Sequence, residues 1–163
     1  MEEIFKRRSY HDGFDGQRKI SDADMNKILK AGMNAPSAHD RQPWEFVVIS
    51  APEKLSFLSK VTSWTGACAT SSHVIVICAR TDKYGGIDTG IAVENIALEA
   101  THLGVGSLIM GIHDNEPVQN SIKQLLNVPD DFTAYIMIAL GYPTEVLPPN
   151  DHWFPEKIHD NKF

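Results

Sequence analysis

The sequence predicts a layered α/β or α+β domain, in which short apolar strands alternate with helices. Strands are indicated by short runs that are rich in Val, Ile and other apolar residues. Helices are indicated between these runs, where apolar residues recur every three or four positions. With 163 residues the chain is long enough to bury a hydrophobic core. The predicted strands cover residues 45–50, 73–79, 105–112 and 134–140.

The N-terminal part of the chain predicts two helices. Residues 2–8 are expected to form a short helix that ends before Ser9. Ser21 is an expected N-cap, because its hydroxyl can accept a hydrogen bond from the first turn of the helix that follows. That helix covers residues 22–33, and Pro36 prevents it from continuing.

The next elements alternate between strand and helix. The strand over residues 45–50 is β-branched and apolar enough to be buried on both faces of a sheet. Pro52 begins a helix that carries Leu55 and Leu58. A second apolar strand follows at residues 73–79.

The helix that comes next is apolar over most of its circumference. Asp88 is its expected cap. The helix is expected to end near His102, just before Gly104. Asn95 and Glu99 share a polar stripe with His102. Such a helix must be covered on nearly every side, and a second subunit is a natural cover in so small a chain. Its apolar remainder consists of Ile91, Ala92, Val93, Ile96, Ala97, Leu98 and Ala100.

The C-terminal part completes the pattern with a strand at 105–112, a helix at 117–126 and a strand at 134–140. Residues 143–163 have little periodicity and are rich in Pro, Asn and aromatic residues. We expect one domain over residues 1–163, in which 143–163 form an extended tail. This tail is expected to wrap a partner or to lie on its own surface.

Composition argues against several classes of protein. The net charge of -6 argues against general nucleic-acid binding, because a phosphate backbone needs a broad cationic surface. Cys68 and Cys78 match no common zinc or redox spacing and are expected to be buried or semi-buried thiols. We recognise no secretory signal and no apolar run long enough to span a bilayer, so a cytoplasmic protein without a membrane partner is expected.

Dinucleotide and metal motifs are not supported by their context. Gly104-Val105-Gly106 resembles the start of a dinucleotide fingerprint, but it leaves a helix and enters a strand, the reverse of the Rossmann order. A helix C-cap followed by a closely packed strand explains these glycines better. The seven histidines include no pair spaced to present two imidazoles on one helix face, so no metal site is predicted.

Two segments have side chains that suit a phosphorylated, aromatic ligand. The basic segment, residues 6–9, contains Lys6, Arg7, Arg8 and the hydroxyl of Ser9. Guanidinium groups bind phosphate in a planar, bidentate manner, although a solvated helix end explains the same residues. The polar loop, residues 36–42, can offer hydrogen bonds to a flat ring, although its composition also favours an ordinary turn.

Taken together, these segments resemble the FMN-dependent nitroreductase family, and the likeness covers nearly the whole chain in the same order. The resemblance implies an α+β domain whose central mixed, mainly antiparallel sheet of four to five strands is flanked by helices. It also implies an intertwined homodimer with two FMN molecules in clefts at the subunit interface. The segments that carry it are Ile4 to Ser9, Ala35-Pro36-Ser37-Ala38, Gln42-Pro43-Trp44, Gly86-Ile87-Asp88, Glu94-Asn95, Leu103-Gly104-Val105-Gly106-Ser107, Met110-Gly111, Gly141-Tyr142-Pro143 and Glu156-Lys157-Ile158-His159.

The resemblance further implies roles for individual residues. The basic segment would hold the phosphate and ribityl chain of FMN. The polar loop of one subunit would line the isoalloxazine ring, and a strand of the other would approach it, with a backbone N–H near Gly111 as a candidate donor to flavin N5. The implied cofactor-binding residues are Arg7, Arg8, Ser9, His11, Pro36, Ser37, Ala38, Asp40, Gln42, Ile109, Met110, Gly111 and Lys157.

The activity implied by the resemblance is that of an FMN-dependent NAD(P)H oxidoreductase with ping-pong turnover. NADH or NADPH would pass hydride to flavin N5 and leave, and a nitroaromatic, quinone or other electron-poor acceptor would then be reduced. The chemistry belongs to the cofactor, so no catalytic side chain is named. The alternative is a non-catalytic protein that binds or stores FMN on the same fold, and a ligand-free dimerisation module is more distant.

Three residues depart from the family pattern. His11 stands in place of a third Arg or Lys, and a histidine loses its charge near neutral pH. Asp40 replaces Asn, and its negative charge would disfavour an anionic reduced flavin and lower its potential. Trp153 stands where the tail often has Arg, which leaves Lys157 as the nearest cation. These departures concern the affinity for FMN rather than the fold.

Overall fold

The computed structural model describes residues 2–163, which are built around a four-stranded sheet. Its strands are β1 (Trp44–Ile49), β2 (His73–Arg80), β3 (Gly106–Gly111) and β4 (Phe132–Gly141). They lie in the order β1-β2-β4-β3, and each neighbouring pair is antiparallel. The edges of the sheet are therefore β1 and β3.

The described residues also form five α-helices. Ser21 caps the second of them as expected, because its hydroxyl accepts a hydrogen bond from the backbone N–H of Asp24 over 3.1 Å. None of the helices in residues 2–163 is both long enough and apolar enough to cross a membrane. The helices are α1 (Glu3–Lys6), α2 (Asp22–Met33), α3 (Pro52–Leu58), α4 (Gly85–His102) and α5 (Glu116–Leu126).

The expected α+β class and four strands are confirmed. The parallel pairing anticipated for a mixed sheet is limited, within residues 2–163, to one isolated bridge between Ser9 and Ser107. This bridge places the basic segment beside β3 at the edge of the sheet. The fold thus brings the start of the chain to a strand that lies about a hundred residues further along.

Apolar layers pack on both faces of the sheet. On one face Leu58 of α3 and Ile122 of α5 pack with Val76 of β2. On the other face Ile28 of α2 and Ile96 of α4 pack with alternate residues of the same strand. The strand β2 is buried on both sides because it lies inside the sheet, with helices above and below.

The expected burial of residues 45–50 on both faces is wrong. The corresponding strand β1 is an edge strand, in which Glu45 is exposed and the Val48 side chain is 40% exposed. Only its terminal residues Trp44 and Ile49 are fully buried. An apolar, β-branched sequence is therefore not sufficient evidence that a strand lies in the interior of a sheet.

Helix α4 begins one turn earlier than expected. We predicted Asp88 as its cap, but the helix starts at Gly85, and Asp88 lies within its first turn with a buried side chain. The expected end is confirmed: His102 is the last helical residue, and Gly104 has a φ of 71° that suits glycine. Gly104 therefore acts as a helix terminator and not as part of a nucleotide motif.

The tail, residues 143–163, has one short 3-10 turn, at Pro155–Lys157. It is fixed to the N-terminal helix where Asn150 N–H donates a hydrogen bond to Phe5 O over 2.9 Å. Beyond that point large apolar side chains are exposed, with Trp153 at 72% and Ile158 at 63%. A single chain thus leaves much of the apolar surface of the tail in contact with solvent.

Candidate active site

The basic segment is held against α4 and the tail. Arg7 Nε donates a hydrogen bond to Glu94 Oε1 over 2.9 Å, and both side chains are partly exposed. Arg8 Nη1 donates to the backbone carbonyl of Pro148. An arginine has five N–H donors, so each of these bonds orients a guanidinium group and leaves donors for a ligand.

The strand β3 presents part of its backbone to the open edge of the sheet. Ser107 O accepts a hydrogen bond from Tyr10 N–H over 3.1 Å, so the polar groups of Ser107 point away from β4. Ile112 N–H donates to Tyr135 O over 3.0 Å and points towards β4. Successive residues of an antiparallel strand direct their backbone N–H and C=O groups to opposite neighbours, so the backbone groups of Gly111 point the same way as those of Ser107. The N–H of Gly111 therefore faces the open edge.

The basic segment and Gly111 lie at opposite ends of the same strand. The segment meets β3 at Ser107, four residues before Gly111. At the rise of a β-strand this separation is about 13 Å. A Cβ built on Gly111 would meet no heavy atom within 4 Å, so the space beside it is open. The edge strand thus carries the basic segment near one end and an outward-facing N–H at an exposed glycine near the other.

The polar loop has an unusual backbone. His39, Asp40 and Gln42 have φ values of 57°, 52° and 48°, in the left-handed region that non-glycine residues rarely adopt. Ser37 organises the turn, since its hydroxyl accepts a hydrogen bond from Gln42 N–H over 2.8 Å and its carbonyl accepts one from Asp40 N–H over 3.0 Å.

The polar loop is attached to the beginning of α4. Asp88 Oδ1 accepts a hydrogen bond from Ala38 N–H over 3.0 Å. Arg41 Nη1 donates to Asp82 Oδ2 over 2.8 Å, in the turn that precedes the helix. The Arg41 guanidinium, together with the N–H groups of Tyr84 and Gly85, lowers the pKa of the Asp82 carboxyl. Asp82 is therefore ionised at neutral pH.

The polar loop and the basic segment contact different sides of α4. Their contacts on the helix are Asp88 and Glu94, which are separated by about 9 Å along the axis and by roughly 120° around it. The two segments predicted to form the ligand site therefore lie on different sides of one helix. Within a single chain each segment faces a different direction.

The other predicted residues fall into distinct settings. His11 is exposed near the basic segment, and Ile109 is half-buried on β3. The side chain of Met110 is buried in the core, and its backbone groups, like those of Ile112, point towards β4 rather than towards the open edge. Lys157 lies in the tail, where its ammonium sits 4.4 Å from the centre of the Phe154 ring. The roles of all these residues toward a cofactor stay predictions.

The exposed side of α4 carries two large apolar side chains near its N-terminal end. Ile87 is 65% exposed and Ile91 is 37% exposed. Further along the helix lies a groove of about 710 Å³ whose lining is mixed: the polar residues are Glu3, Asn34, Asn95, Glu99 and His102, and the apolar ones are Ile4, Ala31 and Leu98. Exposed apolar side chains one turn apart on a helix, such as Ile87 and Ile91, are typical of a protein–protein contact.

Both cysteines are buried, as expected, and are free thiols. Burial raises the pKa of Cys68 to about 12 and that of Cys78 to about 11. Both therefore stay protonated at neutral pH, which leaves them poorly suited to nucleophilic chemistry.

Sequence reasoning missed three residues that organise the site. In the sequence Glu94 is only part of a family segment, Arg41 is only one member of the polar loop without a role of its own, and Asp82 belongs to no predicted motif. The bonds they make join residues that are 87 and 41 positions apart, so no local pattern reveals them. Asp88 was noticed, but as a helix cap rather than as the anchor of the polar loop.

Comparison with known proteins defines the class to which this fold and site belong. The model of the Nitroreductase family matches residues 4–66 and 72–142. The chain therefore belongs to the Nitroreductase family, a family of oxidoreductases.

Relatives of known name support the same family. A curated protein from Archaeoglobus fulgidus, provisionally named NADH dehydrogenase/NAD(P)H nitroreductase, is 36% identical over 98% of this chain and 96% of its own length. A solved structure of an FMN-dependent nitroreductase from Clostridium difficile is 28% identical, with a TM-score of 0.91 over 99% of this chain and 98% of that one. A provisionally named NADH oxidase from Clostridium acetobutylicum is 30% identical, with a TM-score of 0.91 over 99% of both chains.

Proposed function

We propose that the protein is an FMN-dependent oxidoreductase that takes electrons from NADH or NADPH and reduces nitroaromatics, quinones or similar electron-poor acceptors in a ping-pong cycle. Bound FMN supplies the hydride chemistry for both half-reactions. Family membership supports this proposal, as do similar proteins whose names include FMN and NAD(P)H. The identity of the physiological acceptor is a separate question, which an acceptor panel addresses.

The observation that carries the proposal is the arrangement along β3. The basic segment, which contains Arg7 and Arg8, pairs with β3 at Ser107, and an outward-facing N–H lies at Gly111, about 13 Å away. FMN has a phosphate at one end and a hydrogen-bonding ring at the other. The residues present therefore fit this cofactor, with cations for the phosphate and a backbone donor for the ring.

Each part of the chain has a definite task in this proposal. Arg7, Arg8 and Ser9 would bind the phosphate through charge-assisted hydrogen bonds. The N–H of Gly111 would donate to the ring and help to orient it. The polar loop would line the ring and exclude water from one side of it. No side chain of the protein needs to act as a nucleophile.

The proposed cofactor site is shared between two copies of the chain. The polar loop and the basic segment face different directions in one chain, so a second copy is needed to bring one of each together. The exposed Ile87 and Ile91 on α4 and the apolar side chains of the tail provide a surface for this association. The proposed assembly is therefore a homodimer, in which the tail of one copy wraps the other.

Anaerobic stopped-flow absorbance tests the proposed activity. The purified protein is expected to carry FMN, and NADH or NADPH should bleach the flavin absorbance, which a quinone or nitroaromatic then restores. Bound FMN that neither nicotinamide reduces would instead support a binding or storage protein. A protein that carries no FMN and takes up none on titration would refute both functions.

A further inference from the structure

The polar loop holds a strained conformation that requires an anchor. Three of its residues, His39, Asp40 and Gln42, lie in the left-handed region. Residues in sparsely populated backbone regions are unfavourable and persist only where the surrounding structure holds them. The internal bonds to Ser37 shape the turn but do not attach it to the rest of the protein.

Asp88 supplies a buried attachment point. Its side chain is 2% exposed, and its Oδ1 accepts the hydrogen bond from Ala38 N–H. Among the described residues its Oδ2 makes no hydrogen bond and lies 3.9 Å from Arg41 Nη2. A buried carboxylate with an unbonded oxygen is unfavourable, so a purely structural position would be better served by a neutral side chain.

Capping of α4 does not explain this carboxylate. The N–H groups at the start of the helix are already bonded to Asp82, whose Oδ1 accepts hydrogen bonds from Tyr84 and Gly85 over 2.8 and 2.9 Å. Asp88 lies inside the helix and directs Oδ1 outward to the polar loop. Its contacts therefore serve the loop rather than the helix.

Arg41, a member of the polar loop, provides further contacts between the loop and the start of α4. Its Nε donates to Ala38 O over 3.2 Å, its Nη1 donates to Asp82, and its guanidinium carbon lies 5.1 Å from the centre of the Tyr84 ring. The negative charge of Asp88 faces the remaining nitrogen, Nη2. Ala38 is thus held on both sides of its backbone, by Asp88 at its N–H and by Arg41 at its carbonyl.

We infer that Asp88 is a positioning residue for the flavin ring: it holds the polar loop in its strained shape through Ala38 and Arg41. This inference rests on the proposed function, because it assigns the loop to the ring half of the FMN site. Loss of the Asp88 carboxylate should weaken binding of the ring and leave the contribution of the phosphate unchanged. Riboflavin and FMN share the ring and differ in the phosphate, so they separate the two contributions.

The test compares Asp88→Ala, Asp88→Asn and a control, Glu53→Ala, which removes an exposed carboxylate on α3. Fluorescence titration should show Asp88→Ala binding both FMN and riboflavin about tenfold more weakly, the factor for a hydrogen bond to a charged group. Asp88→Asn keeps an acceptor for Ala38 and should recover most of this loss. Glu53→Ala should bind both like the natural protein.

Amide hydrogen exchange without ligand gives a second measurement. The Ala38 N–H should exchange faster in Asp88→Ala and recover in Asp88→Asn. If Asp88→Ala does not fold, the surface variant Arg41→Ala takes its place and should also weaken both flavins.

Two results would overturn the positioning role while the proposed function stands. One is unchanged Ala38 exchange in Asp88→Ala, or in Arg41→Ala where that variant takes its place. The other is a loss of affinity for FMN with none for riboflavin, which would place the effect at the phosphate. Failure of the natural protein to bind either flavin would refute the proposed function itself and the role of Asp88 with it.

Discussion

Arg7 and Glu94 form a hydrogen-bonded ion pair, with 2.9 Å between Arg7 Nε and Glu94 Oε1, which fixes the basic segment to the middle of α4. The same helix holds the polar loop at Asp88 and exposes Ile87 and Ile91 on its outer face. One helix therefore connects the proposed phosphate site, the proposed ring wall and the proposed dimer surface. A substitution on α4 should therefore change the affinity for the cofactor even where the substituted residue does not contact the cofactor.

Arg8→Ala should weaken FMN binding by about 1.5–3 kcal/mol, the contribution of a hydrogen bond to a charged group. Arg8 is bonded to the carbonyl of Pro148, and its other N–H groups are donors suited to a phosphate. Isothermal titration calorimetry with FMN measures the change, and riboflavin serves as the control ligand because it lacks the phosphate. Equal losses for both ligands would show that Arg8 supports the fold rather than the phosphate.

Asp40→Asn should raise the reduction potential of the bound flavin. Asp40 is exposed in the polar loop and adds a negative charge to the proposed ring wall, which opposes formation of an anionic reduced ring. An interaction of about 1 kcal/mol between charges near the surface corresponds to roughly 20 mV for a two-electron couple. Spectroelectrochemical titration measures the potential. An unchanged potential would place Asp40 away from the ring.

The helices and strands were largely predictable from sequence because their signals are local. Ser21 and Pro52 mark helix starts through the chemistry of capping, and Gly104 marks a helix end through its backbone freedom. The predicted start of α4 is too late because Asp88 resembles a cap, whereas the carboxylate that accepts hydrogen bonds from the N–H groups at the helix start is Asp82, in the turn before the helix. Either acidic residue fits the sequence pattern, and only the folded turn distinguishes them.

The candidate site was predictable in its residues but not in its connections. The basic segment and the polar loop were identified by residue type and by family resemblance. Their attachment to α4 depends on pairs that are distant in sequence, such as Arg7 with Glu94 and Arg41 with Asp82. The exposure of β1 could not be predicted either. It follows from the position of β1 at the edge of the sheet, and the order of strands is a tertiary property that an apolar run does not reveal.

Ile87→Asp should convert the proposed dimer to a monomer and abolish tight FMN binding. Ile87 is 65% exposed on α4, and a carboxylate placed in an apolar interface must be desolvated without a partner. Sedimentation velocity reports the oligomeric state. Phe57→Asp is the control, because Phe57 is 42% exposed on α3, on the opposite face of the sheet. A monomeric natural protein, or a variant that stays dimeric, would contradict the proposed interface.

The buried thiols predict a pH dependence of stability in the alkaline range. Burial raises the pKa of Cys68 to about 12 and of Cys78 to about 11, above the ordinary value of 9.0 for both. The folded protein therefore holds protons that the unfolded chain releases. This stabilisation is complete below 9.0 and is lost as the pH rises through about 11 for Cys78 and about 12 for Cys68.

Denaturant unfolding at pH 8 and at pH 10 measures this effect. The free energy of unfolding should fall more between these values in the natural protein than in a variant with Cys68→Ala and Cys78→Ala, since the difference isolates the thiols from other groups that titrate. A thiol reagent at pH 8 should label the native protein slowly and label both cysteines rapidly in guanidinium. Rapid labelling of the native protein would show that one of the thiols is accessible, contrary to the burial of both in the structure.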